Sequence, residues 1–399
     1  MLSRLYADNY QCLANFQLFF DPLSVLLGPN GSGKSASLLL VAKLRDFVLG
    51  RESSGKLFPG ESLTRWYTRS DQTFELGARL SQGEYIYRLR FQHQRERSSN
   101  RIIEETLSLD GKPLFETRDE KTYLYNDRHT KGPEFLPDWN VSGLSRVHER
   151  PDNTKFIAFR RFMERTLVLA LNPALVKAVS ENKQPVMLPR PDCSDFASLL
   201  DYVIRSEAIV RQEAERSLST GALPGFRAFQ ATPFGDANIL ECVFSKAGSK
   251  SWKFRLDELS SGQIALVILE IALALATEHG GALLLDEPGN FLGLSEIAPL
   301  LTRFQDAAQE KRFQVIISAH HPIAVDFLSA GHGLWLDREP SGTTRVQKVG
   351  VADDIRDKEA HLRVSDLIAR GWLSGLGVQN HNASESEAER FNRLLSEEE

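Results

Sequence analysis

A glycine-rich segment that ends in lysine and serine is the part of this sequence best suited to chemistry. It reads Gly28-Pro29-Asn30-Gly31-Ser32-Gly33-Lys34-Ser35 and follows the apolar run 23–27. Glycines reach backbone angles closed to other residues, so successive amide groups can curl around phosphate oxygens. The lysine of such a loop reaches the β- and γ-phosphates, and its serine hydroxyl binds Mg²⁺. The pattern predicts a nucleoside triphosphate site contacted by Asn30, Gly31, Ser32, Gly33, Lys34, Ser35 and Ala36.

Two adjacent carboxylates, Asp286 and Glu287, end the apolar run 282–285. A buried parallel strand delivers its last residues to the ligand crevice of an α/β sheet. We expect Asp286 to hold Mg²⁺ together with Ser35, and Glu287 to orient or deprotonate the attacking water. Acidic residues are common at strand ends, so the pair indicates a hydrolysis site only because a phosphate-binding loop precedes it in the chain.

Two further segments complete the predicted site. Ser260, Ser261, Gly262 and Gln263 precede the apolar helix 264–276, where the serines cap the helix and the glycine leaves the backbone open to phosphate. We expect this segment to reach the phosphate of a second copy of the chain, which makes dimerisation part of the chemistry.

The other segment is the mostly apolar run 315–319, which is followed by two histidines and a proline. A histidine at a strand end can hydrogen-bond a γ-phosphate oxygen and hold the attacking water. His320 is the first choice for this role and His321 the reserve.

The apolar spacing predicts the elements that position these residues. Strands are expected over 5–13 and 16–20, and another enters the loop. Period-two alternation predicts antiparallel hairpins over 73–91 and 106–117, inserted after the helix that follows the loop.

Helical spacing then appears over 153–171 and 196–217, separated by the proline-containing stretch 185–191. Strands over 231–244 and 252–256 lead to a helix–strand alternation typical of a parallel sheet, which lasts to residue 335. A polar helical tail is expected over 353–370 and 384–399. These elements divide the chain into four regions. Region 1–130 is the first part of the core with the phosphate-binding loop and the inserted β lobe, and region 131–250 is the helical lobe with the strands that follow it. Region 251–350 is the second part of the core, with the segment 260–263, the acid pair and the histidine, and region 351–399 is the tail.

Composition limits the classes of protein. The chain has 399 residues, of which 42% are hydrophobic and 25% charged, and its net charge is −5. These values are ordinary for a globular protein and give no global field that attracts nucleic acid. No apolar run long enough to cross a membrane and no secretory leader is expected, and the three cysteines are scattered. We therefore expect a cytoplasmic protein without a membrane partner.

One local basic cluster stands out in this mildly acidic chain. It is either a solvated helix face or a patch that contacts phosphates. Its members are Arg146, Arg150, Lys155, Arg160, Arg161 and Arg165.

The four motifs, in this order over residues 1–345, resemble the ATP-binding-cassette ATPase heads, and within them RecF, the structural-maintenance-of-chromosomes (SMC) heads and the OLD-type ATPases. The segment 259–263 resembles the signature Leu-Ser-Gly-Gly-Gln, with Ser261 in place of the first glycine. The segment 286–294 is similar to Asp-Glu-Pro-Glu-Asn-x-Leu-His-Pro but departs from it at Gly289, Gly293 and Leu294. The segment 318–322 resembles Thr-His-Ser-Pro, which supports His320.

The resemblance implies an α/β, ABC-type P-loop ATPase head with a mostly parallel core sheet, an inserted antiparallel β lobe and a helical lobe carrying the signature motif. It implies ATP and Mg²⁺ as ligands and a homodimer or larger homo-oligomer that sandwiches ATP. It implies neither a coiled-coil arm nor the Toprim nuclease domain of OLD proteins. The magnesium-sensing glutamine of many such heads has only weak candidates here, namely Gln72, Gln92 and Gln94.

Such heads resemble the ATPases of bacterial anti-phage systems, which control a separately encoded effector such as a nuclease. The main alternative is a RecF-like DNA repair ATPase that binds DNA and loads other proteins. A transporter cassette fits the inserted sheet poorly, and a scaffold with a dead site conflicts with the presence of Lys34 and Glu287.

Overall fold

The computed structural model describes residues 1–94, 99–118, 121–181, 186–246, 250–310, 312–320, 322, 325–326, 332–339, 341–349 and 365. Two sequence predictions, His321 and the helical tail, fall outside these residues except for Ser365.

The described elements run along the chain as follows. The strands are β1 (Leu2–Asp8), β2 (Phe16–Phe19), β3 (Leu23–Leu27), β4 (Asp71–Leu80), β5 (Gly83–Gln94), β6 (Ser99–Leu109), β7 (Lys112–Arg118), β8 (Lys121–Tyr125), β9 (Lys131–Phe135), β10 (Thr166–Leu169), β11 (Val179–Ser180), β12 (Phe226–Phe234), β13 (Ala237–Phe244), β14 (Trp252–Arg255), β15 (Ala282–Asp286), β16 (Gln314–Ser318), β17 (Gly333–Arg338) and β18 (Thr344–Lys348). The α-helices are α1 (Lys34–Val48), α2 (Ser54–Leu57), α3 (Thr154–Glu164), α4 (Phe196–Ser206), α5 (Ala208–Ser217), α6 (Ser261–His279) and α7 (Leu294–Gln309).

The core sheet has the order β10-β15-β16-β3-β17-β18 and is parallel except for β18. Its register places Asp286 opposite Ser318 and Ser318 opposite Leu26. The carboxyl ends of β15, β16 and β3 therefore meet at one edge. Because helices cover such a sheet on both faces, its strands read as continuous apolar runs.

Each face of this sheet packs against a different hydrophobic cluster. On β15, Leu283 and Leu285 pack into the cluster that contains α6 and α7, whereas Leu284 packs into the cluster that contains α1 and the antiparallel sheet. Helix α6 is long and apolar enough to cross a membrane by length and composition alone, but 72% of its most apolar window is buried in the protein. Its apolarity is therefore accounted for by its place in the core.

The predicted antiparallel lobe is an eight-stranded sheet with the order β2-β1-β4-β5-β6-β7-β8-β9. The two N-terminal strands join it, since β1 pairs with β4 in an antiparallel register. The lobe is thus built from chain on both sides of the phosphate-binding loop, which anchors the insertion to the core.

Two helix predictions were wrong in extent. The helix predicted over 153–171 ends at Glu164, and Thr166–Leu169 forms the edge strand β10 beside β15. A short buried apolar run is compatible with a helix or with a strand, and its pairing with β15 makes this one a strand. The helix predicted over 196–217 is broken at Glu207, which has a non-helical φ of −120° and ψ of 66°, into α4 and α5. The region 131–250 also holds β11–β13, which form their own antiparallel sheet together with β14.

Candidate nucleotide-binding and hydrolysis site

The loop between β3 and α1 has the backbone shape that its glycines permit. Gly28 has a φ of +139°, and a Cβ there would lie 2.0 Å from Leu336 O. Gly33 has a φ of +100°, and its Cβ would lie 2.9 Å from Leu13 Cδ2. A side chain is thus excluded at both positions. Gly31 instead faces open space, with no atom within 4 Å of its Cβ position.

Lys34 lies folded against its own loop. Its Nζ donates hydrogen bonds to Gly28 O at 2.8 Å and to Pro29 O at 3.0 Å. Burial lowers the pKa of Lys34, and the charges of Glu287 and Asp286 oppose this shift. The Ser32 hydroxyl is buried without a hydrogen-bond partner among the described residues. An orphaned polar atom beside a buried ammonium fits a phosphate group.

A cluster of hydroxyls surrounds Asp286. Its Oδ1 accepts hydrogen bonds from Ser35 Oγ at 3.0 Å and from Ser318 Oγ at 2.5 Å. The structure thus joins Ser35 and Asp286, the two predicted metal ligands. Among the described residues there is no cluster of three or more His, Cys, Asp or Glu side chains suited to a metal. One carboxylate and one hydroxyl do fit Mg²⁺, which completes its shell with water and substrate phosphate.

Contacts fix Glu287 at its backbone N–H and at both carboxylate oxygens. Its φ of +50° is in the left-handed region, where a non-glycine residue is strained, and such strain is common at functional sites. Its N–H lies 3.0 Å from Ser318 Oγ, which accepts its hydrogen bond. The carboxylate lies 3.1 Å from His320 Nε2 through Oε1 and accepts a 2.7 Å hydrogen bond from Asn290 through Oε2. The predicted general base therefore has a set orientation.

His320 follows β16 and is 37% exposed. Its pKa is lowered, first by burial and then by the charge of Lys34, while Glu287 and Asp286 pull it upward. The lowered pKa favours a neutral imidazole at neutral pH. A neutral ring whose Nε2 carries the proton donates to Glu287.

The signature segment starts α6. Ser260 Oγ accepts a hydrogen bond from Gln263 N at 3.3 Å, and Gln263 Oε1 accepts one from Ser260 N at 2.9 Å. This reciprocal cap matches the predicted capping role. A Cβ on Gly262 would lie 2.9 Å from Phe291 O, so the glycine permits close packing on the turn after Glu287. Among the described residues no hydrogen bond joins this segment to the phosphate-binding loop of the same chain.

Sequence reasoning missed Ser318 and Asn290. Ser318 is the last residue of β16, and its position opposite Asp286 is visible only in the sheet register. Asn290 lies three residues after Glu287, a spacing that one turn of 3₁₀-helix brings together. Of the suggested glutamines, Gln72 is buried in the antiparallel lobe and donates to Asn9 O at 2.8 Å.

The basic cluster is largely engaged with the protein itself. Arg161 pairs with Glu149 at 2.7 Å, Arg150 lies 3.3 Å from Asp152, and Lys155 Nζ donates to Asp127 O. These contacts favour the solvated-face interpretation for most of its members.

The fold and the arrangement of loop, acids and strand-end histidine define an ABC-class P-loop ATPase head of the RecF/SMC type. Residues 23–326 match the model of the family described as "AAA domain, putative AbiEii toxin, Type IV TA system", and the chain belongs to this family. Family and fold are those of ATPases.

Among the solved structures that share the fold are two SMC heads. One is an SMC head bound to the C-winged helix domain of ScpA, with 12% identity and a TM-score of 0.55, covering 89% of this chain and 99% of that one. The other is an SMC head with an extended coiled coil bound to the C-terminal domain of ScpA, derived from Pyrococcus furiosus, with 11% identity and a TM-score of 0.54, covering 90% and 99%. No curated protein matches the sequence.

Proposed function

We propose that the chain binds ATP with Mg²⁺, hydrolyses it, and acts as an ATP-gated dimeric switch. The observation that carries the proposal is the contact of Ser35 Oγ with Asp286 Oδ1 at 3.0 Å, because it places the phosphate-binding loop against the acid pair. Glu287, the next residue, is oriented by Asn290 and His320.

Each residue then has a distinct role. Lys34 exchanges the carbonyls of Gly28 and Pro29 for phosphate oxygens. Ser35 and Asp286 would hold Mg²⁺, which supplies charge neutralisation at the phosphates. Glu287 accepts a proton from the attacking water. His320 exchanges the hydrogen bond from its Nε2 to Glu287 for one to the γ-phosphate, since a neutral ring has a single N–H to donate.

The signature segment would act across a dimer. Ser260 and Ser261 are exposed at the positive N-terminus of α6. Because this end does not contact its own phosphate-binding loop, we assign it to the γ-phosphate held by a second copy. Hydrolysis would remove the group that both copies share and open the dimer.

A role as sensor or regulator in a bacterial anti-phage system is the cellular function we favour. The family description names a toxin and a type IV toxin–antitoxin system, which fits such a role. Two heads of the same fold are bound to ScpA domains, so a separately encoded protein effector is a reasonable partner. A RecF-like function receives less support, since most residues of the basic cluster contact groups of the protein itself.

The test is ATP turnover by the wild type and by Glu287→Gln, with and without duplex DNA. Loss of the general base should slow turnover by a factor on the order of 10² or more. The Gln variant should also form a dimer only with ATP, as measured by light scattering after gel filtration. The control is Glu278→Gln, an exposed acid near the far end of α6.

Equal turnover by the wild type and Glu287→Gln would refute the assigned base. A variant that stays monomeric with ATP would refute the switch. Stimulation by DNA would favour the RecF-like alternative over control by a protein partner.

A further inference from the structure

A cleft lies at the edge of the core sheet opposite to the phosphate-binding loop. Arg165, Gly281 and Phe313 line it, and they directly precede β10, β15 and β16. Asp286 stands at the other end of β15, about 17 Å away for a strand of this length. The cleft is therefore separate from the candidate ATP site, and nothing in the proposed function uses it.

One part of the cleft is open and basic, with a volume of about 620 Å³. Its basic lining consists of arginines and a histidine, and no carboxylate of a described residue lines it. The basic side chains are Arg79, Arg161, Arg165, Arg312 and His279.

These arginines are available to a ligand. The side chain of Arg165 is exposed, and its guanidinium group has no hydrogen-bond or ion-pair partner among the described residues. The pair of Arg161 with Glu149 is 56% exposed on both sides, and Arg79 lies a loose 3.8 Å from Glu84. Arg312 is paired with Glu310, and both side chains are about half exposed. Exposed ion pairs contribute little, so these guanidinium groups can turn toward a bound anion at small cost. A phosphate is the anion that their planar donor geometry fits best.

The second part of the cleft is apolar and more enclosed, with a volume of about 210 Å³. Leu167, Leu188 and Leu275 form its walls, and each is less than a tenth exposed. Glu164 and Glu207 also line it. The oxygens of Glu207 already contact Tyr202 Oη and His279 Nε2, so Glu164 is the carboxylate that can accept hydrogen bonds from amino groups on a ring.

The two parts are continuous, because Arg161, Arg165, His279 and Gly280 line both. An apolar pocket with acceptors beside a cluster of guanidinium groups matches a ring system joined to a phosphate. Together the two parts reach the volume of a small-molecule site. We propose that this cleft binds a phosphorylated ring compound of the nucleoside monophosphate class, at a site distinct from that for ATP.

Titration calorimetry on the full chain tests this inference. The Lys34→Ala background removes the lysine expected to hold phosphate at the candidate ATP site. The probes are AMP, GMP, the two nucleosides, inorganic phosphate and a short DNA duplex. AMP or GMP should bind at least about tenfold more tightly than its nucleoside or inorganic phosphate, since both parts of the cleft contribute. Arg165→Ala should weaken that binding about tenfold, and Ala276→Leu, which fills the apolar part, should weaken it as well.

The matched control is Arg345→Ala, an arginine that is 66% exposed on β18 and does not line the cleft. It should leave binding unchanged, and melting curves should show that every variant is folded. The inference is overturned if neither nucleotide binds, or if Arg165→Ala binds as the background does. It is also overturned if only a short DNA duplex binds through Arg165, since the cleft would then contact a nucleic-acid backbone.

Discussion

Asn290 Nδ2 donates a 2.7 Å hydrogen bond to Glu287 Oε2, while His320 Nε2 lies 3.1 Å from the other carboxylate oxygen. The carboxylate is thus held from both sides by one residue of its own turn and one residue that follows the neighbouring strand. The orientation of Glu287 is therefore a property of the folded site and precedes any ligand.

Replacing Asn290 tests whether its hydrogen bond orients the carboxylate of Glu287. We expect Asn290→Ala to lower kcat for ATP about tenfold with little change in KM, because the residue orients Glu287 and does not contact the loop. Asn290→Asp should be slower still, since a second carboxylate would face the first. Steady-state kinetics measure both, with Asn140→Ala as the exposed-asparagine control. A rise in KM alone would show that Asn290 serves nucleotide binding instead.

A site shared between two copies can be tested by complementation. Lys34→Ala removes the loop lysine, and Ser261→Arg blocks the signature segment without removing the Ser260 cap. Each variant alone should be inactive. When they are co-expressed in equal amounts, half of the dimers are mixed and each has one intact site, so about one quarter of the wild-type rate should return. A mixture that remains inactive would argue against a site completed in trans.

Glu270 on α6 ties the signature helix to α7. Its carboxylate accepts two hydrogen bonds of 2.6 Å from Arg303, and Glu270 is 4% exposed. Glu270→Ala leaves Arg303 without its carboxylate partner and with only the hydrogen bond to Ser217 Oγ. The change should lower the free energy of unfolding by about 2–3 kcal/mol, somewhat below the cost for a fully buried pair because Arg303 is one-third exposed.

Denaturant unfolding measures this effect. Glu278→Ala, at an exposed position on the same helix, should change the free energy of unfolding by no more than about 0.5 kcal/mol. The double variant at Glu270 and Arg303 should lose less than the sum of the single variants. Strict additivity would mean that the pair contributes no coupling.

Glu105 gives the antiparallel lobe a pH-dependent stability. The carboxylate is fully buried and accepts hydrogen bonds from Tyr87 Oη, Ser142 Oγ and Gly143 N. Burial raises its pKa from 4.5 to about 7, and these three hydrogen bonds only partly oppose the shift. Between these values the folded state binds more protons than the unfolded state.

The stabilisation from Glu105 is therefore complete below about pH 4.5 and is lost as the pH rises through about 7. The change is on the order of 3 kcal/mol over this window. Glu105→Gln should remove this contribution, because an amide does not titrate. Urea unfolding at pH 5, 6 and 7 provides the comparison, and an unchanged slope in Glu105→Gln would assign the pH dependence to other groups.

The predictions that succeeded rest on local spacing. The loop 28–35 lies between a strand and a helix, and the acid pair ends a buried strand, as their flanking residues indicate. The hairpins of the antiparallel lobe were visible as period-two alternation, because one face of that sheet packs on the core. Features that depend on residues close together in the chain can therefore be predicted from the sequence.

The errors and omissions have a common origin in pairing between distant segments. Thr166–Leu169 has no local feature that separates a strand from a helix, and only β15, more than a hundred residues later, makes it β10. Ser318 meets Asp286 through the register of two parallel strands, and β1 and β2 meet the inserted lobe through β4.

The sequence by itself therefore determined the class of fold, the phosphate-binding loop and the identities of the catalytic candidates, because each depends on residues within one turn or one strand. Only the tertiary structure decided how Glu287 is oriented, which hydroxyls surround Asp286, and that a basic cleft shares the sheet with the candidate ATP site. Those features depend on sheet register and strand order, and the free energy that selects them comes from burial spread over the whole core.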